Sequence, residues 1–289
     1  MAQLTIPPAQ VHRLQQVSLE MLLFFDRFCQ AHDLTWYLCG GCCIGTMRTG
    51  SFIPWDDDVD VFMPRQDYEK LKTCWRDTPE YAIQFPTEKC CTANQFLTIS
   101  DERTTFIKTF QKELDIRHGV MLDVLPLDGC PRGLRRAEQK LLALLYSLFV
   151  VGRAPGNHGG AVRAMGACLL GLIRSPGARY RAWRFLEKRM TRWRIEDCEA
   201  ITELCSGPRY LQKVYPKRCF AAPVRRSFEG HMLCMPSDAD LYLRIAFGDY
   251  MTLPPPEERT CHHEYEVLDL DHSYRMYRGK SYGMEEGKA

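Results

Sequence analysis

The sequence predicts an α+β fold, a mixed sheet flanked by helices with a helical insertion, and three patterns predict it. Apolar residues recur at helical spacing near the N-terminus, fall into short strand-like runs up to about residue 130, and return to long helical stretches between 131 and 205. The 289 residues, 45% hydrophobic and 26% charged, are enough for a full core and exclude a disordered chain. These patterns divide the chain into a mixed core over 1–130, a helical insertion over 131–215 and a segment over 216–289 that completes the core.

Val11, Leu14, Val17, Met21, Phe24 and Phe28 are spaced three and four apart, so the first element is an amphipathic helix ending near His32 and Asp33. Trp36 to Cys39 reads as a short buried strand, Gly40-Gly41 as a tight turn, and Cys42 to Arg48 as a helix closed by Thr49-Gly50-Ser51. Ile53-Pro54-Trp55 leads into the acidic run, Pro64 ends the strand that follows, and Arg65 to Trp75 is a second helix. Strands are expected at 81–85, 96–99, 104–110 and 119–125. Beyond the insertion, Phe228 to His231 reads as strand and turn, Ser237-Asp238 caps a helix through Ala246, and Leu253 to Pro256 is extended.

The centre of the sequence is the run from Gly40-Gly41 to Asp58-Val59-Asp60-Val61. A strand that feeds a helix through glycines leaves free N–H groups at the positive end of the helix dipole, which suits a phosphate. In an extended strand Asp58 and Asp60 share one face while Val59 and Val61 enter the core. The two carboxylates repel each other unless a divalent cation lies between them, and hard oxygen ligands favour Mg²⁺ or Mn²⁺. Asp123 is the lone carboxylate in the apolar run Val120 to Leu125, a costly placement unless it is paired or bound to metal. A Gly-Gly pair alone is ordinarily just a turn, an acidic triplet ordinarily a solvated cap, and Asp123 could instead pair with an arginine.

The net charge of +2 argues against a nucleic-acid partner, and the basic residues from Arg174 to Arg194 read as a solvated helix face. No secretory leader is visible at the N-terminus, so the expected location is cytoplasmic. Most of the 14 cysteines are then reduced core thiols; Cys39-x-x-Cys42 and Cys261-His262-His263 are weighed as zinc ligands and set aside. Leu141 to Val151 and Ala164 to Ile173 are too short to span a bilayer. They form a helical hairpin that is either buried against the core or laid on the inner face of a membrane.

Three segments carry a resemblance. Tyr37-Leu38-Cys39-Gly40-Gly41 with Gly45-Thr46-Met47-Arg48, Gly50 to Val61 including Ile53-Pro54-Trp55-Asp56-Asp57-Asp58, and Met63 to Tyr68 resemble the central signature of the LicD family, which is related to fukutin and has a nucleotidyltransferase-like fold. Leu122 to Gly129 resembles its second acidic strand, and Tyr242 to Met251 with Pro254-Pro255 its C-terminal segment. The resemblance implies a nucleotidyltransferase-like catalytic core that transfers phosphocholine, or a related phospho-alditol, from CDP-choline or a similar CDP-linked donor to a cell-surface glycan such as lipopolysaccharide or teichoic acid, free or lipid-linked, releasing CMP. It implies Asp56, Asp58, Asp60 and Asp123 as metal ligands, the last three as catalytic groups, and Gly40, Gly41, Cys42 and Arg48 as the donor-binding set. Two positions depart from the family pattern: Cys42 stands where Thr or Ser is usual, and Phe247 where Tyr is common. The competing readings are a nucleotidyltransferase acting on a small molecule and a non-catalytic metal-binding helper.

Overall fold

The structure, a computed structural model, describes residues 6–152, 160–173, 175–261 and 263–283. The turn at 153–156, Arg174 and His262 lie outside them, and for Arg163 only the backbone is described. The chain is α+β, as the sequence predicts, and forms two compact units. One comprises the chain up to Gln84, Thr98–Leu125 and everything from Arg218 on; the other comprises Phe85–Leu97 and Pro126–Lys217.

In the first unit, α1 (Pro8–Ala31) starts on prolines that need no helical N–H donor and buries Val11, Leu14, Met21, Leu22 and Phe25. It is followed by β1 (Tyr37–Leu38), α2 (Gly40–Arg48), β2 (Val59–Pro64), α3 (Arg65–Cys74), β3 (Tyr81–Gln84), β4 (Leu97–Asp101) and β5 (Thr105–Lys108). Next comes β6 (Met121–Cys130), buried at all ten positions and longer at its C-terminal end than expected. The sheet order is β1-β2-β6-β4-β3. Two elements differ from the sequence reading. The glycine pair does not precede α2 but forms its first two residues, with Cys39 extended as the cap. Asp58 lies one residue before β2, although the alternation holds, since Val59 and Val61 are buried and Asp58 and Asp60 are half-buried.

In the second unit β6 runs on to pair with β7 (Ala200–Glu203), which pairs with β8 (Tyr215–Pro216). Between them lie α4 (Gly133–Val151), α5 (Gly160–Leu172) and α6 (Pro176–Met190). Ala143, Tyr146, Phe149 and Val150 of α4 meet Trp183, Leu186 and Met190 of α6 in one apolar cluster. The strand at 200–203 lies inside the stretch read as helical. It is only four residues long, too short for its alternation to show.

The chain then re-enters the first unit. β9 (Val224–Phe228) and β10 (His231–Met235) form a hairpin whose two-residue turn, Glu229-Gly230, has both φ angles positive, the backbone twist that matches paired strands. α7 (Ala239–Phe247) is capped by the Asp238 carboxylate, which accepts from the Leu241 N–H. β11 (Tyr265–Asp269) pairs antiparallel with β5, Tyr265 opposite Lys108. That pairing brings the last forty residues of the chain to the acidic run.

Candidate active site

The site lies wholly within the first unit. It begins at Gly40, whose φ of +53° is a left-handed conformation that glycine adopts without strain. The next residue is fixed by space. A Cβ on Gly41 would stand 1.9 Å from Asp56 Oδ2, and one on Gly40 3.4 Å from Asp60 Oδ2. Two carboxylates from the acidic run therefore lean on two consecutive residues at the N-terminus of α2, where the helix dipole favours negative charge. The Gly40 N–H donates to the Tyr242 hydroxyl at 3.1 Å.

Asp56 and Asp57 are buried, and Asp123 is buried in β6. Asp56 Oδ2 and Asp123 Oδ1 are enclosed without a hydrogen-bond partner. Burial, followed by the neighbouring Asp58 and Asp57, pushes the Asp56 carboxyl well above the usual carboxylate range. Asp60 is raised in the same sense, by burial and then by Asp58 and Asp123, with Lys108 opposing. Burial raises Asp123 too, and here Lys108 opposes the shift most, while Asp58 adds to it. Each carboxylate is thus held near others that make its charge costly, the environment a divalent cation relieves. Enclosed orphan oxygens, an all-oxygen donor set and mutual repulsion fit Mg²⁺ or Mn²⁺. Among the described residues a cluster with the spacing to hold a cation is Asp57, Asp58 and His263, whose ligand atoms lie within 4.8 Å of one another.

Three side chains in the site are absent from the sequence-derived set. His263 donates its backbone N–H to Asp57 Oδ2 at 3.1 Å, its Nδ1 lies 3.2 Å from Asp57 Oδ1, and its Nε2 lies 3.2 Å from Lys108 Nζ. Asp57 thus orients the imidazole, and the buried Lys108 supplies the positive charge nearest the acids. The sequence held one signal for Lys108, a cation closing the apolar run Thr105-Phe106-Ile107. For His263 it held the Cys261-His262-His263 cluster, weighed only for zinc, but nothing that linked it to Asp57, 206 residues away.

Of the residues singled out from sequence, Gly40, Gly41, Asp56, Asp58, Asp60 and Asp123 come together. Cys42 lies beneath them, its thiol fully enclosed and held neutral by burial and then by Asp56, Asp58 and Asp60. Arg48 does not join the group. It sits at the far end of α2, about 12 Å along the axis from Gly40, where its Nε donates to the Tyr250 carbonyl at 2.7 Å and its Nη2 to the Thr252 carbonyl at 3.1 Å. It clamps the segment after α7 to the C-terminal end of α2. Cys39, the other member of the C-x-x-C, is also buried.

Residues 33–127, the span from just before β1 into β6, match the family described as LicD/FKTN/FKRP, nucleotidyltransferase domain. The lipopolysaccharide cholinephosphotransferase LicD of Haemophilus influenzae is 26% identical over 274 residues, covering 89% of this chain and 97% of that protein. The chain is thus similar to the LicD family, over residues 33–127 by the family match and over most of its length by the relative. The family span holds the glycine pair, the acidic run, Lys108 and Asp123. Among the described residues no helix is long and apolar enough to cross a membrane.

Proposed function

We propose that the chain is a divalent-metal-dependent phosphotransferase that moves phosphocholine, or a related phospho-alditol, from a CDP-linked donor to a hydroxyl of a cell-surface glycan and releases CMP. The observation that carries this reading is the convergence of Asp56, Asp60 and Asp123, all with raised carboxyl pKa values, beside the glycine start of α2. The relative's name supplies the substituent, since that protein is a cholinephosphotransferase acting on lipopolysaccharide.

A divalent cation held by Asp56, Asp58, Asp60 and Asp123 would neutralise the donor diphosphate and the charge that grows on the departing phosphate. The protein's own groups do the rest. The glycine start of α2 allows the donor to approach close to the backbone. Lys108 offsets the acids from the β5 side, and Asp57 holds His263 in one orientation between them. The new bond forms between the acceptor oxygen and phosphorus, the bond from phosphorus to the CMP oxygen breaks, and the acceptor proton passes to a site carboxylate, a role we assign to Asp123.

The test is incubation with CDP-choline, CDP-glycerol or CDP-ribitol, Mg²⁺ or Mn²⁺, and a glycan acceptor, following both CMP release and label in the glycan. Metal-dependent transfer of the substituent with CMP as co-product is the expected result. Transfer of the nucleotide instead, or no turnover with any donor that binds, overturns the reading.

A further inference from the structure

The helical unit carries a charge and an apolar surface that transfer chemistry does not use. Residues 126–217 hold 17 Lys and Arg against 7 Asp and Glu, while the whole chain is nearly balanced at 38 against 36. The remainder of the chain is therefore acidic on balance. The bias is strongest between Gln139 and Leu186, which contain seven basic residues and no acidic one.

The same stretch shows apolar side chains to water. On α5 the exposed positions are Ala164, Ala167, Cys168, Gly171 and Leu172, spaced three and four apart along one face, and Leu172 is 75% exposed. Leu170 turns the other way, onto the core cluster, as does Ile173 just beyond the helix end. On α4, Leu141 is 58% and Leu144 45% exposed, one turn apart, while Ala143 and Tyr146 are buried. The sequence reading left burial and surface attachment as alternatives for these two stretches. In the structure each has an inward face in the core and an outward apolar face.

We propose that the outward faces of α4 and α5 dock on an anionic lipid surface. The leucines would enter the region between headgroups and acyl chains, and the surrounding basic residues, such as Arg181 on α6, would meet lipid phosphates. Charge complementarity decides for a negatively charged occupant, and the leucines decide for lipid over a dissolved polyanion, which offers apolar side chains nothing. Since no described helix is long and apolar enough to cross a membrane, the attachment is peripheral. It does not depend on the transferase reading.

The experiment is flotation of the whole chain with equimolar phosphatidylglycerol and phosphatidylcholine vesicles, with phosphatidylcholine vesicles as control, at low and high salt. The wild type floats with the anionic vesicles, releases as salt screens the attraction, and stays behind with the neutral ones. Leu172→Glu, and Leu141→Glu with Leu144→Glu, each weaken binding by about tenfold or more at unchanged Tm. Arg181→Glu weakens it less. If a glutamate variant melts early, Leu172→Ser serves in its place with the same expected direction. Absence of wild-type flotation overturns the proposal, as does flotation that the leucine changes leave intact. Binding to heparin in place of vesicles would reassign the surface to a polyanion, and a dimer lost in the leucine variants would reassign it to a second copy of the chain. CMP release from a soluble donor should be unaffected by Leu172→Glu, so failure here and failure of the transferase reading are distinguishable.

Discussion

The two units bury charge in opposite ways. In the helical unit the buried Arg136 donates to Gln139 Oε1 at 2.7 Å, Thr202 Oγ1 at 2.8 Å and the Leu211 carbonyl at 2.6 Å. Gln139 in turn donates to the carbonyls of Gly129 and Met190. The one buried carboxylate of β7, Glu203, accepts from the Tyr215 hydroxyl. In the catalytic unit Asp56, Asp60 and Asp123 crowd one another, two enclosed oxygens accept nothing, and Lys108 is the cation that opposes them. A buried cation held through both terminal nitrogens by neutral acceptors ties a fold together without outside help. A cluster of like charges is held for something that arrives later, and the catalytic unit bears its cost in stability until then.

That contrast breaks most visibly at Asp58 and Asp60. Changing either to Asn should lower CMP release by about a thousandfold or more. The metal-free Asp60→Asn protein should melt no lower than wild type, because a neutral amide replaces a repelled carboxylate. The rise in Tm that Mg²⁺ or Mn²⁺ gives the wild type should shrink in both variants. Wild-type turnover at saturating metal in either one would remove the cluster from the chemistry. Asp123→Asn should follow with a loss of at least about a hundredfold; an unchanged rate with a lower Tm would make Asp123 structural.

Gly41→Ala sharpens the comparison from the backbone side. Its methyl group would stand on Asp56 Oδ2, so the carboxylate must move, at a cost of roughly 1–3 kcal/mol and with a loss of turnover. Equal Tm and equal rate in this variant would mean that the acidic run does not rest on the helix start.

The helical unit offers the pH test. Burial raises the Glu203 carboxyl from its ordinary value of 4.5 to about 7. A raised folded value means that the folded state holds its proton more tightly. The stability this contributes is full below pH 4.5 and is lost as pH rises through about 7, on the order of 3 kcal/mol at most. Glu203→Gln keeps an acceptor for Tyr215 and should flatten the fall in Tm between pH 5 and 8. A fall as steep as in wild type would place its origin elsewhere. The smallest effect is expected at the thiols: Cys39→Ala and Cys42→Ser should keep metal-dependent turnover, because both side chains are buried. Stoichiometric zinc in protein purified without added metal, lost together with activity in either variant, would restore a thiol site.

What could be read from sequence was what is local. The alternation of Asp58, Val59, Asp60 and Val61, the isolation of Asp123 in an apolar run and the glycine pair are all contained within a few residues. What could not be read depends on pairing at a distance. The β5–β11 register puts Lys108 opposite Tyr265 and brings His263 against Asp57, and no periodicity in either segment announces it. Arg48, part of the donor-binding set that the resemblance implies, stands apart for a related reason: a nine-residue helix places its two ends at different partners, and Arg48 meets backbone carbonyls 202 and 204 residues away.

The order in which the chain is synthesised gives the β5–β11 pairing a temporal meaning. Thr105–Lys108 leaves the ribosome about 160 residues before its partner strand, and at roughly 5–20 residues per second the wait is on the order of ten seconds or more. Throughout that interval Asp57 has no His263, and β5 presents an open edge able to pair with another nascent chain. The Pro126–Lys217 part of the helical unit emerges in the meantime, so that unit is complete in its own segments by Lys217. Folding of this protein is therefore vectorial for the helical unit and terminal for the acidic site. Premature termination between Lys217 and β11 would release a chain with one finished unit and one exposed strand, a substrate for chaperones and proteases.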